Sequence, residues 1–250
     1  MTTATKKKRK RRVPTEERKA ADAKIRTEAA AVLAAPEGVA RMIEKLMHAK
    51  LGPRVLSYSL RNQALVISQA EDRAIPLSDV RGRGEWRALG RWPRKGQPGL
   101  RITARNGNRE DDAGTPALDE PQPADPAAED NGEGEESIGF HMVSVWDRSM
   151  TDGDELEEPP PEVPDPARVL LDGLTEQVER HEYRVVTAEH DVPASPSNVD
   201  HDAKTITVMP EWSARDKILT IALALAQILT DASDRAAARK AARQKAAVTT

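Results

Sequence analysis

Residues 220–231 read TIALALAQILTD. After Thr220 the run is almost wholly Ile, Leu and Ala, broken by Gln227, and no charge appears before Asp231. It is long enough for three helical turns and too short for a bilayer, which needs about 20 apolar residues. An apolar helix with no polar face is expected to be core, packing on the strands at 183–189 and 204–209. The flanking segments set the class. YRVVTAE (183–189) and KTITVMP (204–210) read as strands, and ARVLLDGLTEQVERHEY (167–183) as a helix with Val169, Leu170, Leu174 and Val178 on one face.

Working outward, the N-terminal half adds more of both kinds. Thr15 with Glu16 and Glu17 starts an Ala-rich helix running to about Ala35, where Pro36 and Gly38 break it. A second helix carries Val39, Ile43, Leu46 and Met47. A third spans SYSLRNQALVISQA, with Ser57 or Ser59 as its cap. GEWRALGRW reads as one short helical turn ended by Gly90, and GLRITAR and IGFHMVSVWDRS read as strands. The fold class expected is α+β: a small mixed sheet with packed helices, a disordered basic arm at 1–14 and a disordered acidic insertion at 106–137. TDGDELEEPPPEVPDP is expected to be flexible, and the tail after Asp234 to be a frayed basic helix.

Composition bounds the function. Charged residues make up 32% of the 250 residues and aromatics 3%, so one core spanning the whole chain is not expected. There is no cysteine, which excludes disulfides, thiolate metal sites and a cysteine nucleophile and suits a reducing cytoplasm. No signal peptide is read at the N-terminus. Net charge is only −3, but it is unevenly placed. Residues 1–105 carry 25 basic and 10 acidic side chains; residues 106–167 carry 2 and 19. Such asymmetry points to nucleic acid more than to a neutral small molecule. The arm TKKKRKRR would hold phosphate without sequence preference, or serve only solubility.

The densest chemical signal is WRALGRWPRKGQPGLRI (86–102). Trp86 and Trp92 stand among Arg87, Arg91, Arg94, Lys95 and Arg101. Cations that track a backbone and aromatic faces that stack bases are what single-stranded nucleic acid requires. The competing reading makes the tryptophans core and the arginines merely solvated. In YSLRNQ (58–63), Tyr58, Arg61 and Asn62 are further candidates, although a helix-interior Asn is more often a structural hydrogen-bonding group.

Taken in order, YSLRNQALVISQA, WRALGRWPRKGQPGLRI and FHMVSVWDRSMTDG resemble the N-terminal domain of the ArdC-type antirestriction proteins. That family's pattern runs Y-S-x-R-N-x-x-L-I-x-x-Q, then W-x-x-L-G-R-x-V-R-K-G-E-x-G-I-x-I, then F-x-x-V-x-V-F-D-x-S-Q-T. Pro93 and Trp146 depart from it. The resemblance implies a single-stranded DNA-binding domain over 15–157, carried on a phage or mobile element, with Tyr58, Arg61, Asn62, Trp86, Arg87, Arg91, Trp92, Arg94, Lys95 and Arg101 as its DNA contacts. In that family a metallopeptidase-like domain with H-E-L-A-H follows, two His at i and i+4 holding zinc and Glu acting as base. Here the corresponding region is 158–235, followed by a basic tail at 236–250. Leu223 falls at the first His, Ala224 at the Glu and Gln227 at the second His. The expectation is a degenerate site with no catalytic residue, metal or cofactor, in a non-enzymatic protein of the bacterial cytoplasm. An ordinary core helix without that ancestry predicts the same. His181, His190 and His201 do not rebuild a metal site. The alternative function is a protein-interaction or DNA-mimic inhibitor, in which the acidic segments bind a host restriction enzyme or nuclease. No membrane partner is expected.

Overall fold

The computed structural model describes residues 15–48, 53–105, 140–156, 165–188 and 198–248. The basic arm and the acidic insertion lie outside these residues, and so do the readings that rest on them. The described chain is α+β. Its elements, in order, are α1 (Glu16–Ala34), α2 (Pro36–His48), α3 (Pro53–Leu56), α4 (Leu60–Asp72), β1 (Val80–Gly82), α5 (Arg83–Ala88), β2 (Arg91–Pro93), β3 (Leu100–Arg105), β4 (Phe140–Asp147), β5 (Thr151–Gly153), α6 (Pro166–Arg180), β6 (Arg184–Thr187), β7 (Val199–Asp200), β8 (Thr205–Val208) and α7 (Ala214–Val248).

Local chemistry sets the helix starts. The Thr15 hydroxyl accepts from Arg18 N–H, that of Ser59 from Asn62 N–H, and the Asp165 carboxylate from Ala167 N–H with Pro166 next in line. The strands form three small sheets where the sequence suggested one. β1, β4 and β3 make an antiparallel sheet in the order β1-β4-β3, β2 and β5 make a two-stranded ribbon, and β6-β8-β7 is mixed, with β6 parallel to β8. At the far end of the β3–β4 pair, Arg105 stands opposite Phe140.

β3 is an edge strand of the first sheet, and α4 covers that edge by an unusual route. The Asn62 side chain donates to Thr103 O and accepts from Thr103 N–H, both at 2.9 Å. Seven residues on, Gln69 donates to Arg101 O and accepts from Arg101 N–H, both at 2.8 Å. Positions i and i+7 lie on one helix face, and residues two apart on a strand point their N–H and C=O the same way. The two carboxamides therefore stand in for a neighbouring strand and satisfy backbone groups that an open edge would expose.

A second amide joins the two halves of the chain. Gln177, 4% exposed on α6, accepts from Leu60 N–H at 2.7 Å and donates to Tyr58 O at 3.4 Å. Leu60 opens α4, so a side chain from the C-terminal half satisfies an otherwise unpaired helix-start N–H. One hydrophobic cluster accordingly runs across residue 157, from Leu46, Leu60 and Leu65 to Leu170, Leu174 and Leu225.

α7 is the centre of that cluster. Ile218, Ile221, Ala222, Ala224, Leu225, Ala226, Ile228 and Leu229 are all buried. The helix packs against α6, α2 and α1, and less extensively against β8. The expected packing on the strands at 183–189 and 204–209 is thus the lesser part: helices from both halves enclose α7. The helix then continues without a break to Val248.

Replacing Gln69 by Leu leaves the N–H and C=O of Arg101 unpaired on a buried flank. It is expected to lower the unfolding free energy by about 1–3 kcal/mol in urea titration, and Asn62→Leu to act in the same direction.

Candidate functional site

The β2–β5 ribbon is separate from the first sheet and carries the signal seen around Trp92. Its register pairs Arg91 with Gly153, Trp92 with Asp152, and Pro93 with Thr151. Arg94 N–H donates to Met150 O at 3.0 Å and extends the pairing by one step. Two glycines permit it. Gly90 (φ +69°) and Gly153 (φ +134°) sit where the strands approach most closely, and a Cβ on Gly153 would collide with Gly90 O.

Arg91 is the brace of this ribbon. Its guanidinium donates to Thr151 Oγ1 at 3.0 Å and Thr151 O at 2.9 Å, and also to Asp154 O. The following loop is tied down as well. Arg73, at the end of α4, donates to Pro98 O at 2.6 Å and to Gly99 O at 3.3 Å, and the Trp146 indole donates to Gln97 O at 3.3 Å. Burial lowers the pKa of Arg73 from its ordinary value. At the end of β4, the buried Asp147 carboxylate accepts from the N–H groups of Ser78, Asp79 and Ser149. Arg73 and Asp147 carry no signal of their own in the sequence, and Trp146 stands out there only as a departure from the family pattern; their roles arise from contacts between distant segments.

On this braced frame Trp92 is 50% exposed, and it is the exposed large hydrophobic side chain among the described residues. Arg87, Arg94 and Lys95 are exposed in the same region of the chain. The charge there is mixed, because Arg94 Nε donates to Asp152 Oδ1 at 2.8 Å.

Four of the residues expected to contact DNA are taken up by contacts within the fold. Tyr58 is 3% exposed and donates to Val80 O at 3.4 Å; burial raises its phenol well above the ordinary tyrosine range. Trp86 is fully buried, donates from its indole to Trp146 O at 2.8 Å and lies under the Arg81 guanidinium. Neither ring offers a face for stacking. Asn62 is consumed by the edge of β3. Arg101 forms a two-pronged pair with Asp22, at 2.9 Å on each prong, and donates further to Ser144 Oγ and Met142 O. A guanidinium so engaged is not available to phosphate. Arg61 is half-buried on α4, in hydrogen-bonding or electrostatic contact with other groups.

The second expected location lies on α7. Leu223 packs against the core and Ala224 is buried, as an apolar helix requires. Gln227 is exposed but has polar company: its Nε2 lies 3.4 Å from His201 Nε2. His201 Nδ1 meets the Tyr183 hydroxyl at 2.8 Å, and its Nε2 lies 3.8 Å from Asp231 Oδ2. This chain ties the β7–β8 turn to α7 and β6. Among the described residues no three His, Asp or Glu side chains are grouped to hold a metal ion, and no helix is long and apolar enough to cross a membrane.

Comparison of the chain with protein-family models, with curated proteins and with solved structures finds no match. The resemblance to the ArdC-type pattern therefore rests on the motif residues themselves.

Two outcomes test the structural assignments. Removing either partner of the Arg101–Asp22 pair strands the other charge in a mostly buried place. Arg101→Ala and Asp22→Ala are each expected to cost roughly 2–3 kcal/mol in chemical denaturation, less than for a fully buried pair, and the double variant less than the sum. For Tyr58 the folded pKa lies above the unfolded one, so the folded state holds a proton that the unfolded state releases near pH 10. Its contribution is complete below that pH and falls as pH rises, by up to about 1.4 kcal/mol per pH unit. Thermal melts from pH 9 to 11 should show a smaller decline for Tyr58→Phe than for the native chain.

Proposed function

We propose that the chain binds single-stranded DNA through the β2–β5 ribbon and the loop that follows it, as a DNA-protecting protein of a phage or mobile element. The observation that carries the reading is the half-exposed Trp92 on a ribbon braced by Arg91, with exposed cations close to it along the chain. A solvent-facing indole offers a flat apolar face that an unpaired base covers, gaining stacking energy whatever the base. Arg94 and Lys95, next along the chain, and Arg87, just before the ribbon, supply positive charge for the flanking phosphates. A duplex keeps its bases stacked internally and offers such a face little.

The ArdC-type motifs support the same ligand and an antirestriction role, acting in the cytoplasm of a bacterial host. The contact set narrows to Trp92, Arg94, Lys95 and Arg87, with Arg91 holding the ribbon in shape. The apolar residues at Leu223 and Ala224, in the slot of a catalytic helix, support a protein without peptidase activity.

Fluorescence anisotropy with labelled single- and double-stranded oligonucleotides tests this. The single strand should bind more tightly. Trp92→Ala should weaken it by about 5- to 100-fold, the loss of one stacked base. The slope of log affinity against log salt should flatten by roughly 0.7 for each cation removed in Arg94→Ala and Lys95→Ala. Equal binding of both nucleic acids, or an unaltered affinity in Trp92→Ala, would overturn the proposal.

A further inference from the structure

The ribbon carries a carboxylate at the place least suited to a polyanion. Asp152 stands directly opposite Trp92 in the β2–β5 register. Directly opposed residues project from the same face of an antiparallel pair, their Cβ atoms about 4.5–5.5 Å apart. The same carboxylate accepts from Arg94 Nε at 2.8 Å. One acidic group therefore adjoins both the exposed indole and a cation beside it.

Nothing in the frame depends on this contact. The Arg94 and Asp152 side chains are 53% and 72% exposed, the range in which an ion pair adds little to stability and exchanges readily with solvent ions. The ribbon is held by backbone pairing, by Arg91 and by the bond from Arg94 N–H to Met150 O. The Arg101–Asp22 pair is the contrasting case, with both side chains 12% exposed and the guanidinium fully engaged.

We infer that Asp152 is a built-in competitor for phosphate: in the free protein it occupies Arg94, and an incoming nucleotide must displace it. This rests on the reading of the ribbon as the DNA site and adds its regulation. A phosphate alone exchanges one anion for another at Arg94 and meets the repulsion of the displaced carboxylate. A nucleotide whose base stacks on Trp92 brings additional binding energy to the exchange. The carboxylate thereby biases the site toward unpaired, stackable nucleotides and against duplex DNA, whose phosphates come without an available base.

The experiment compares the full chain and its Asp152→Asn, Arg94→Ala and Arg94→Ala/Asp152→Asn variants, by anisotropy on single-stranded and duplex oligonucleotides at low and moderate salt. Asp152→Asn should keep its melting temperature and bind the single strand about three- to tenfold more tightly at low salt, with a smaller gain at moderate salt. Its gain on duplex should be larger, narrowing the discrimination. In the Arg94→Ala background the Asp152→Asn gain should shrink to less than about twofold. Unchanged or weaker binding by Asp152→Asn, with native single-strand binding intact, overturns the competitor role and leaves the DNA site standing. A full gain in the absence of Arg94 also overturns it, because the carboxylate would then act by general repulsion. Failure of both the native chain and Asp152→Asn to bind single strands removes the DNA site and the competitor together.

Discussion

Two carboxamides on one helix determine where the exposed ribbon stands. Asn62 and Gln69 fasten α4 to the free edge of β3 through paired backbone bonds. That contact fixes the helix against the β1-β4-β3 sheet in rotation and in translation, because each amide has a single strand residue to match. Apolar packing alone would leave the helix free to slide. Arg73 at the end of α4 then reaches the loop at Pro98 and Gly99, so the placement of the loop after Trp92 descends from the placement of the helix.

The same logic of shared amides makes the two halves one body. Gln177 reaches from α6 to the start of α4, and α7 lies between α6 and the pair α1 and α2. A helix apolar on nearly every side needs neighbours on every side, and the N-terminal helices supply what the small β6-β8-β7 sheet cannot. Whatever the ancestry of the slot occupied by Leu223 and Ala224, those positions now contribute to packing. The polar contacts of α7 lie at outward positions, where Gln227 and Asp231 meet His201 and Arg215 pairs with Glu44.

Much of this was legible in the residues. The helices announce themselves by period and cap, Ser59 and Thr15 among them, and β3, β4, β6 and β8 by their β-branched runs. The two- and three-residue strands β1, β2, β5 and β7 are too short to show a period. β5 was further masked by its acidic surroundings, which read as flexible; its pairing depends on β2, far away in sequence, and on glycines at 90 and 153. The site was half legible for a similar reason. Trp86 and Trp92 sit in nearly identical arginine-rich neighbourhoods, yet α5 turns one inward and the ribbon turns the other outward. The residues that carry the resemblance to the ArdC-type pattern serve mainly the frame of this structure. Tyr58, Asn62, Gln69, Trp86, Gly90, Arg91 and Asp147 each hold a strand, a turn or a core position. A backbone amide needing a partner constrains a residue as strictly as a ligand does.

The pairing of Arg105 with Phe140 has an evolutionary side. The chain leaves the first sheet and re-enters it at adjacent points, so the stretch between them closes a circuit whose ends are already joined. Lengthening such a stretch costs only about 0.6 kcal/mol per doubling. The registers of the sheet therefore set little limit on the length of that stretch. The sheet, with α4 fixed to one edge, is a mounting that can accept, trade or lose an appendage of either charge without renegotiating a single register.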